Sequence, residues 1–229
     1  MLRAIILDFN GVLLDDESLH FGAMRDTVAD LGVDLTRQIY WDRYLPLDDA
    51  GCLEAICRDH SVRLNPKELA SILERKARLY RRLLQDRFSL FPGVAGFIRG
   101  AARRYPLALA SGARREEIES TLDSTGLRRY FVIIVAAEDF ARGKPSPESF
   151  LLALERLNAA LGPPPILPEE CLVIEDSVGG IRGAKMAGMT CMAVSNSYSS
   201  ERLQAADKVV ASLKEVHPES LQALFKELA

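Results

Sequence analysis

The chain has 229 residues, of which 29 are Lys or Arg and 32 are Asp or Glu, and its formal net charge is −3. This length allows an α/β domain together with a smaller second module. The balanced charge offers no basic stripe to a nucleic-acid backbone, so we expect no nucleic-acid partner. The N-terminal apolar run is too short for a signal sequence or a membrane span, which predicts a cytoplasmic protein with no membrane partner. The four cysteines have no metal-ligand spacing, and we expect reduced thiols.

Short apolar runs typical of buried parallel strands recur along most of the chain, mostly separated by helical patterns such as those of residues 115–123 and 147–161. The predicted strands are Arg3–Leu7, Pro106–Ala110, Phe131–Ala136, Cys171–Ile174 and Thr190–Val194. This alternation of strand and helix predicts an α/β fold with a doubly wound, Rossmann-like parallel sheet.

A long segment after the first strand has a different pattern, because its strand signal is absent and charged amphipathic stretches appear instead. Helices are predicted there at residues 19–31, 52–60 and 66–84. The turn formers Gly11 and Pro92-Gly93 bracket the segment, so its two connections should leave the sheet close together. We therefore predict a helical cap over residues 15–91, inserted into an α/β core formed by residues 1–14 and 92–229.

The first predicted strand leads into Asp8, which is followed by Phe9, Asn10 and Gly11. Open α/β sheets bind ligands at the carboxyl ends of their strands, where a carboxylate can act as a nucleophile. The same residue types are also good turn formers. Position alone therefore does not distinguish a catalytic aspartate from a turn aspartate.

Three later segments place further ligand-binding side chains at strand ends. Ser111 and Gly112 follow the second predicted strand, where a hydroxyl and free main-chain N–H groups can receive an anion. Lys144 lies between a strand and the next helix, and its ammonium can face phosphate oxygens and a carboxylate. Glu175 and Asp176 follow an apolar run and suit a hard cation with oxygen ligands.

Four features of the sequence resemble, in order, the four motifs of the haloacid dehalogenase-like hydrolase superfamily: Asp8, Ser111, Lys144 and the Glu175-Asp176 pair. The resemblance covers essentially the whole chain. The helical insert resembles the branch with a small cap, which includes β-phosphoglucomutase-like and phosphoglycolate-phosphatase-like enzymes. The resemblance implies a phosphatase that acts on a small phosphorylated metabolite, an organic monophosphate. It implies Asp8 as the nucleophile that is transiently phosphorylated, with the side chains of Ser111 and Lys144 holding the phosphoryl group.

The resemblance also implies Mg²⁺ as a cofactor. Its ligands would be Asp8, the main-chain carbonyl of Asn10, Glu175, Asp176 and waters, in the near-octahedral oxygen geometry that Mg²⁺ prefers. The ion and the ammonium of Lys144 would offset the repulsion between the Asp8 carboxylate and the substrate phosphate.

Asn10 departs from the family pattern, because the phosphatases and mutases carry a second aspartate there that protonates the leaving oxygen and later activates water. An amide does neither, and loss of a positioned acid/base costs about 10²–10⁴-fold in rate. Either the chain is naturally altered at this position or an aspartate was replaced to stop turnover. Both explanations predict impaired catalysis with retained affinity for metal and phosphate. A non-catalytic phosphometabolite-binding protein is the alternative function.

The predicted cap contains further candidates for substrate binding. His20 resembles a family position that couples cap closure to the acid/base residue, and it can equally be a partly buried helix histidine. Lys76 resembles a substrate-facing lysine of β-phosphoglucomutase-like caps, and it can equally belong to a solvated charged face. Asp48 and Asp49 lie in the loop where mutase-like relatives carry Gly and Arg for a second phosphate, so their charges predict a preference for monophosphates.

Other activities of the superfamily fit the sequence less well. Mutase activity needs a second phosphate, which Asp48 and Asp49 would repel. Dehalogenases also lack the second aspartate of the first motif, but they need no Mg²⁺, and the Glu175-Asp176 pair argues against them. Phosphonate cleavage uses a small residue at that position and a Schiff-base lysine from the cap. For the oligomeric state we expect a monomer or a weak homodimer.

Overall fold

The computed structural model describes residues 1–45, 47, 49–87 and 89–228. The chain divides into two compact units. The first unit is formed by Met1–Asp15 together with Ser89–Ala229, and the second by Asp16–Phe88. Among the described residues, no helix combines the length and the apolar character that crossing a membrane requires.

A parallel sheet forms the centre of the first unit, with the strand order β3-β2-β1-β4-β5-β6. The strands are β1 (Ala4–Leu7), β2 (Leu107–Ala110), β3 (Phe131–Val135), β4 (Cys171–Glu175), β5 (Thr190–Val194) and β6 (Lys208–Val210). The predicted Rossmann-like α/β fold is therefore confirmed, and the predicted runs differ from β1–β5 by at most one residue at each end. The prediction did not include β6, because its three residues are too short for a recognisable apolar run.

Helices account for most of the remaining chain. In chain order they are α1 (Glu17–Ala29), α2 (Arg37–Ile39), α3 (Asp49–Asp59), α4 (Pro66–Arg87), α5 (Val94–Ala101), α6 (Arg115–Ser124), α7 (Glu148–Leu161), α8 (Val178–Met186) and α9 (Leu221–Leu228). A π-helix at Tyr40–Tyr44 continues directly from α2. The helices α1–α4 belong to the second unit, whose described residues contain no strand.

The core of the first unit explains the continuous apolar runs in the sequence. Strands β1, β2, β4 and β5 are buried along their whole length, as strands are when helices cover both faces of a parallel sheet. Phe150 and Leu157 of α7 and Ile181 of α8 join Ile6 and Val173 in one buried apolar cluster. The helices that follow β3 and β4 thus fix the loops that lead into them.

The register of the central strands brings their carboxyl ends to one level. Leu7 of β1 pairs with Leu109 of β2 on one side and with Ile174 of β4 on the other. The next residue of each chain segment, including Asp8 and Glu175, therefore lies at the same edge of the sheet.

The second unit has an apolar core of its own. Val28 of α1 and Leu53 and Ile56 of α3 are completely buried, and Tyr44 of the π-helix packs in the same cluster. Leu69 of α4 contacts this cluster while partly exposed. The amphipathic stretches seen in the sequence are thus explained by helices that share one buried face.

Candidate active site

Asp8 directly follows β1 at the carboxyl edge of the sheet. Its main-chain N–H donates to the carbonyl of Ile174 at 3.0 Å, which continues the ladder with β4. The residue is buried. Burial raises the pKa of Asp8 to about 6, against the lowering effect of the Lys144 ammonium and with a further increase from the Glu175 carboxylate. Asp8 thus presents a carboxyl group in a confined, electrostatically crowded position.

Lys144 bridges two of the acids. Its Nζ lies 2.7 Å from Asp8 Oδ1 and 2.5 Å from Glu175 Oε1. Burial lowers the pKa of Lys144, but the two carboxylates raise it by more, so the pKa lies above its ordinary value and the side chain is a cation. A Cβ on Gly183 of α8 would lie 3.1 Å from the carbonyl of Ser146, so this glycine lets α8 pack closely against the Lys144 loop.

Glu175, the last residue of β4, is completely buried and has donors for both carboxylate oxygens. Oε1 accepts from Lys144, while Oε2 accepts from the main-chain N–H groups of Asp176 and Ser177 at 2.8 Å and from the Ser177 hydroxyl at 2.9 Å. A Cβ on Gly180 would lie 1.8 Å from Oε1, so only glycine allows α8 to begin this close to the carboxylate. Glu175 therefore anchors both Lys144 and the loop into α8.

Asp176 approaches the turn after β1. It is buried, and a Cβ on Gly11 would lie 1.9 Å from its Oδ2. Gly11 also has a φ of 72°, a left-handed conformation that favours glycine. Burial, followed by the charges of Glu175 and Asp8, raises the pKa of Asp176 well above its ordinary value. The two turns thus meet only because residue 11 has no side chain.

The acid cluster fits a divalent cation. Ligand oxygens of Asp8, Glu175 and Asp176 all lie within 4.8 Å of one another. Among the described residues, Lys144 is the ammonium that pairs with this cluster, and its ion pairs go to Asp8 and Glu175, so the charge of three carboxylates is not fully balanced. Asp8 Oδ1 is buried and, apart from its ion-pair contact with Lys144, has no hydrogen-bond partner among the described residues. Closely spaced carboxylate oxygens with unbalanced charge are the donor set that Mg²⁺ takes.

The structure places the remaining predicted core residues near the same sheet edge. Ser111 follows β2, is buried, and donates its main-chain N–H to the carbonyl of Val135 at 3.0 Å. Its Oγ accepts from the N–H of Ala113 at 3.2 Å, and Gly112 between them is exposed. Asn10 lies in the turn after β1, where it forms a bridge with Leu14.

The candidate residues of the second unit form a cluster within that unit. Lys76 Nζ lies 2.6 Å from Asp49 Oδ1 and 2.6 Å from His20 Nδ1. The side chain of Lys76 is 2% exposed, so the interpretation of Lys76 as part of a solvated face is wrong. The helical charge pattern did not reveal this, because Asp49 compensates the charge from another helix. Asp48 lies outside the described residues.

The hydrogen bonds of His20 assign its tautomer. An ammonium only donates, so with Lys76 charged the Nδ1 atom of His20 accepts and Nε2 carries the proton. Nε2 lies 3.2 Å from Asp16 Oδ2, which also accepts from the hydroxyl of Tyr80. The rings of His20 and Tyr80 stack with centroids 4.1 Å apart. His20 thus lies between Lys76 and Asp16 and contacts both side chains.

Sequence reasoning missed three polar residues that support the acid cluster. The Ser177 side chain caps α8 by accepting from the N–H of Gly180 at 3.0 Å. Asn196 Nδ2 donates to the carbonyl of Gly11 at 2.7 Å, and Ser197 Oγ lies beside the Asp176 carboxylate at the position of the missing Gly11 side chain. The signal was present, since Asn196 and Ser197 follow the carboxyl end of β5.

Residues 2–188 match the family described as haloacid dehalogenase-like hydrolase. Protein CbbY from Cereibacter sphaeroides is 32% identical over 228 residues, and the match covers 94% of each chain. A phosphorylated carbohydrates phosphatase from Thermotoga maritima is 30% identical over 190 residues, with 82% of each chain covered.

Solved structures of a similar protein share the fold. Two crystal structures of CbbY from Rhodobacter sphaeroides each give a TM-score of 0.78 at 30% identity, covering 94% of this chain and 96% of that chain. One is a complex with phosphate. The other is an aspartate-to-asparagine mutant in complex with xylulose-(1,5)bisphosphate.

Proposed function

The chain belongs to the haloacid dehalogenase-like hydrolase family, and on this premise we propose that it is a Mg²⁺-dependent phosphomonoester hydrolase whose turnover is impaired by Asn10. The match to this hydrolase family and the similarity to named phosphatases identify the chain as an enzyme of the hydrolase class with phosphatase activity. The observation that carries the proposal of a Mg²⁺-dependent phosphomonoester hydrolase is the buried contact of Lys144 with Asp8 and Glu175 at the carboxyl edge of the sheet. We propose a small organic monophosphate as the substrate, because the relative from Thermotoga maritima is named as a phosphorylated carbohydrates phosphatase.

The chemistry proposed for these residues is a double displacement at phosphorus. A carboxylate oxygen of Asp8 forms a bond to phosphorus while the bond to the substrate oxygen breaks, and water then cleaves the resulting acyl phosphate to inorganic phosphate. Lys144 offsets the charge of the attacked phosphoryl group, and the Ser111 hydroxyl and the Gly112 N–H donate to its oxygens. The amide of Asn10 is too weak an acid to protonate the leaving oxygen, so this oxygen takes its proton from water and the step is slow.

We propose that Asp8, Asp176 and the main-chain carbonyl of Asn10 hold Mg²⁺, with Glu175 completing the acid set. Glu175 would act by holding Lys144 and the neighbouring loop, since its two oxygens already accept from several donors. Bound Mg²⁺ would supply positive charge to the phosphoryl oxygens.

Mg²⁺ affinity is expected to fall as the pH is lowered from about 7.5 to about 5, because the ion competes with protons for its ligands. The raised pKa of Asp8, about 6, places this competition in that range, and the raised pKa of Asp176 acts in the same direction. Above these pKa values the carboxylates are free to bind, and below them they are protonated. Titration calorimetry in buffers of different ionisation enthalpy measures both the affinity and the protons released.

Two variants make this calorimetric test specific. Asp176→Asn should remove Mg²⁺ binding, while Asp15→Asn removes an exposed carboxylate from the same unit and should leave the affinity unchanged. An affinity that does not change across this pH range, or equal effects of the two substitutions, would count against the proposed ligands.

We also propose that residues 15–91 act as a cap whose His20, Asp49 and Lys76 contact the part of the substrate that is not the phosphate. The ammonium of Lys76 is already compensated by Asp49, whose side chain is 48% exposed. The nearby Glu17 and Asp16 add further acid to the cluster. This charge favours hydroxyl or ammonium groups over a second phosphate.

Asp49→Asn is expected to shift ligand preference towards bisphosphates by about 10-fold, since it removes one like charge and releases the Lys76 ammonium. The measurement is calorimetric binding of a sugar monophosphate and of the corresponding bisphosphate, with Mg²⁺ present. The matched control is Glu54→Gln, which removes one exposed charge from the same helix, α3, and should leave the ratio unchanged. Tighter binding of the bisphosphate than of the monophosphate by the unsubstituted chain would contradict the proposal.

A non-catalytic phosphometabolite-binding protein is the second candidate. The observation that favours it is the amide at position 10, beside an otherwise complete set of acids and Lys144. The relative that crystallised with a bound bisphosphate carried an aspartate-to-asparagine mutation, so an amide in such a protein is compatible with ligand binding.

A further inference from the structure

We propose that Asn196 and Ser197, in the turn after β5, are positioning residues that hold the two loops on either side of the proposed Mg²⁺ site. This inference rests on the proposed function, since it concerns how that site is built. Neither residue belongs to the four motifs recognised in the sequence. Both are half-buried; Asn196 donates to the loop after β1, and Ser197 Oγ lies beside the Asp176 carboxylate in the loop after β4.

Register explains why the turn reaches these loops. Glu175 of β4 pairs with Ala193 of β5, so the residues that follow the two strands leave the sheet side by side. The N–H of Ser195 donates to the carbonyl of Val210 at 3.0 Å, which ties the start of the turn to β6. The turn is therefore held by the sheet on one side and faces the acid cluster on the other.

Asn196 fixes the main chain after β1. Its Nδ2 donates to the carbonyl of Gly11 at 2.7 Å, across 185 positions of sequence. Gly11 directly follows Asn10, whose carbonyl is a proposed ligand. The hydrogen bond to the Gly11 carbonyl restricts rotation of the Gly11 backbone. It thereby helps to fix the planar peptide that joins Asn10 to Gly11, and with it the direction of the Asn10 carbonyl.

Ser197 fixes a carboxylate. Its Oγ lies beside the Asp176 carboxylate, since a Cβ on Gly11 would lie 2.7 Å from Ser197 Oγ and 1.9 Å from Asp176 Oδ2. In this position the Ser197 hydroxyl can donate to the carboxylate, and it acts to lower the pKa of Asp176. Ser197, Asp176 and the Gly11 backbone therefore meet at one point. Without the hydroxyl, Asp176 would lose a donor that offsets the repulsion from its neighbouring carboxylates.

Ser197→Ala and Asn196→Ala are each expected to weaken Mg²⁺ binding about 10-fold or more, the usual effect of losing a partner that orients a metal ligand. The measurement is titration calorimetry of the full chain with Mg²⁺ alone, so it does not depend on turnover. Ser197→Thr keeps the hydroxyl and should restore the affinity to within about threefold.

Ser195→Ala is the matched control. It removes a hydroxyl from the same turn, but the hydrogen bond of Ser195 Oγ goes to the carbonyl of Val210, 3.5 Å away, and not to the acid cluster. Its Mg²⁺ affinity should stay within about twofold of the parent. Thermal unfolding in the presence of a chelator should show that every variant is folded before the ion is added.

Three results would overturn the inference. Unchanged Mg²⁺ affinity in Ser197→Ala and Asn196→Ala would refute the positioning role while leaving the proposed function intact. If Ser195→Ala weakened Mg²⁺ binding equally, the loss of affinity would come from a change in the fold of the turn and not from the contacts of Asn196 and Ser197. Absence of Mg²⁺ binding in the unsubstituted chain would refute the metal site itself, and the positioning role with it.

Discussion

Asn10→Asp should raise the steady-state rate of phosphate release from small monophosphates by about 10²-fold or more. The amide and the carboxylate have nearly the same shape, so the exchange disturbs packing little. It adds a group that can protonate the leaving oxygen and then activate water. The expected change is in kcat, with a much smaller change in KM, because the added interaction is used in the transition state.

The measurement is phosphate release with Mg²⁺ across a panel of sugar and organic-acid monophosphates. Asn65→Asp provides a matched control, since it makes the same chemical change at the start of α4, where the side-chain oxygen accepts from the N–H groups of Lys67 and Glu68. Equal rates in the unsubstituted chain and the Asn10→Asp variant would show that another group supplies the proton. Tight binding of a panel ligand without turnover in either form would decide for a binding protein.

The fold and the acid cluster were accessible from the sequence because both depend on local patterns. A buried parallel strand needs a continuous apolar run, and such runs predicted β1–β5 to within one residue at each end. Asp8 and Glu175 could be expected together, because polar residues after such runs converge at one edge of the sheet. The order of the motifs then assigned their chemistry through the family.

The contacts between distant segments were not accessible from the sequence. The bond from Asn196 to Gly11 spans 185 positions, and nothing in the local pattern Ser-Asn-Ser distinguishes it from an ordinary turn. Lys76 was equally ambiguous, because its burial depends on Asp49 and His20 from other helices. Residues whose role depends on a partner far away in sequence need the three-dimensional structure.

Asp8→Asn, made in the Asn10→Asp protein, should lower turnover by about 10⁴-fold or more, because it removes the nucleophile itself. Lys144, Glu175 and Asp176 stay in place, so phosphate ligands should still bind. Asp15→Asn in the same background provides the control, since it removes an exposed acid from the same unit. Retained turnover in Asp8→Asn would show that water attacks the substrate directly.

The proposed nucleophilic role of Asp8 is tested most directly by trapping the phosphorylated protein. The Asn10→Asp protein is mixed with a monophosphate that it turns over, quenched in acid within the first turnovers and reduced with borohydride, which converts an aspartyl phosphate to homoserine. Peptide mass spectrometry then locates the modified residue. We predict homoserine at position 8 in this protein and none in the Asp8→Asn form. Phosphate release without modification at Asp8, or modification of a different residue, would contradict the account.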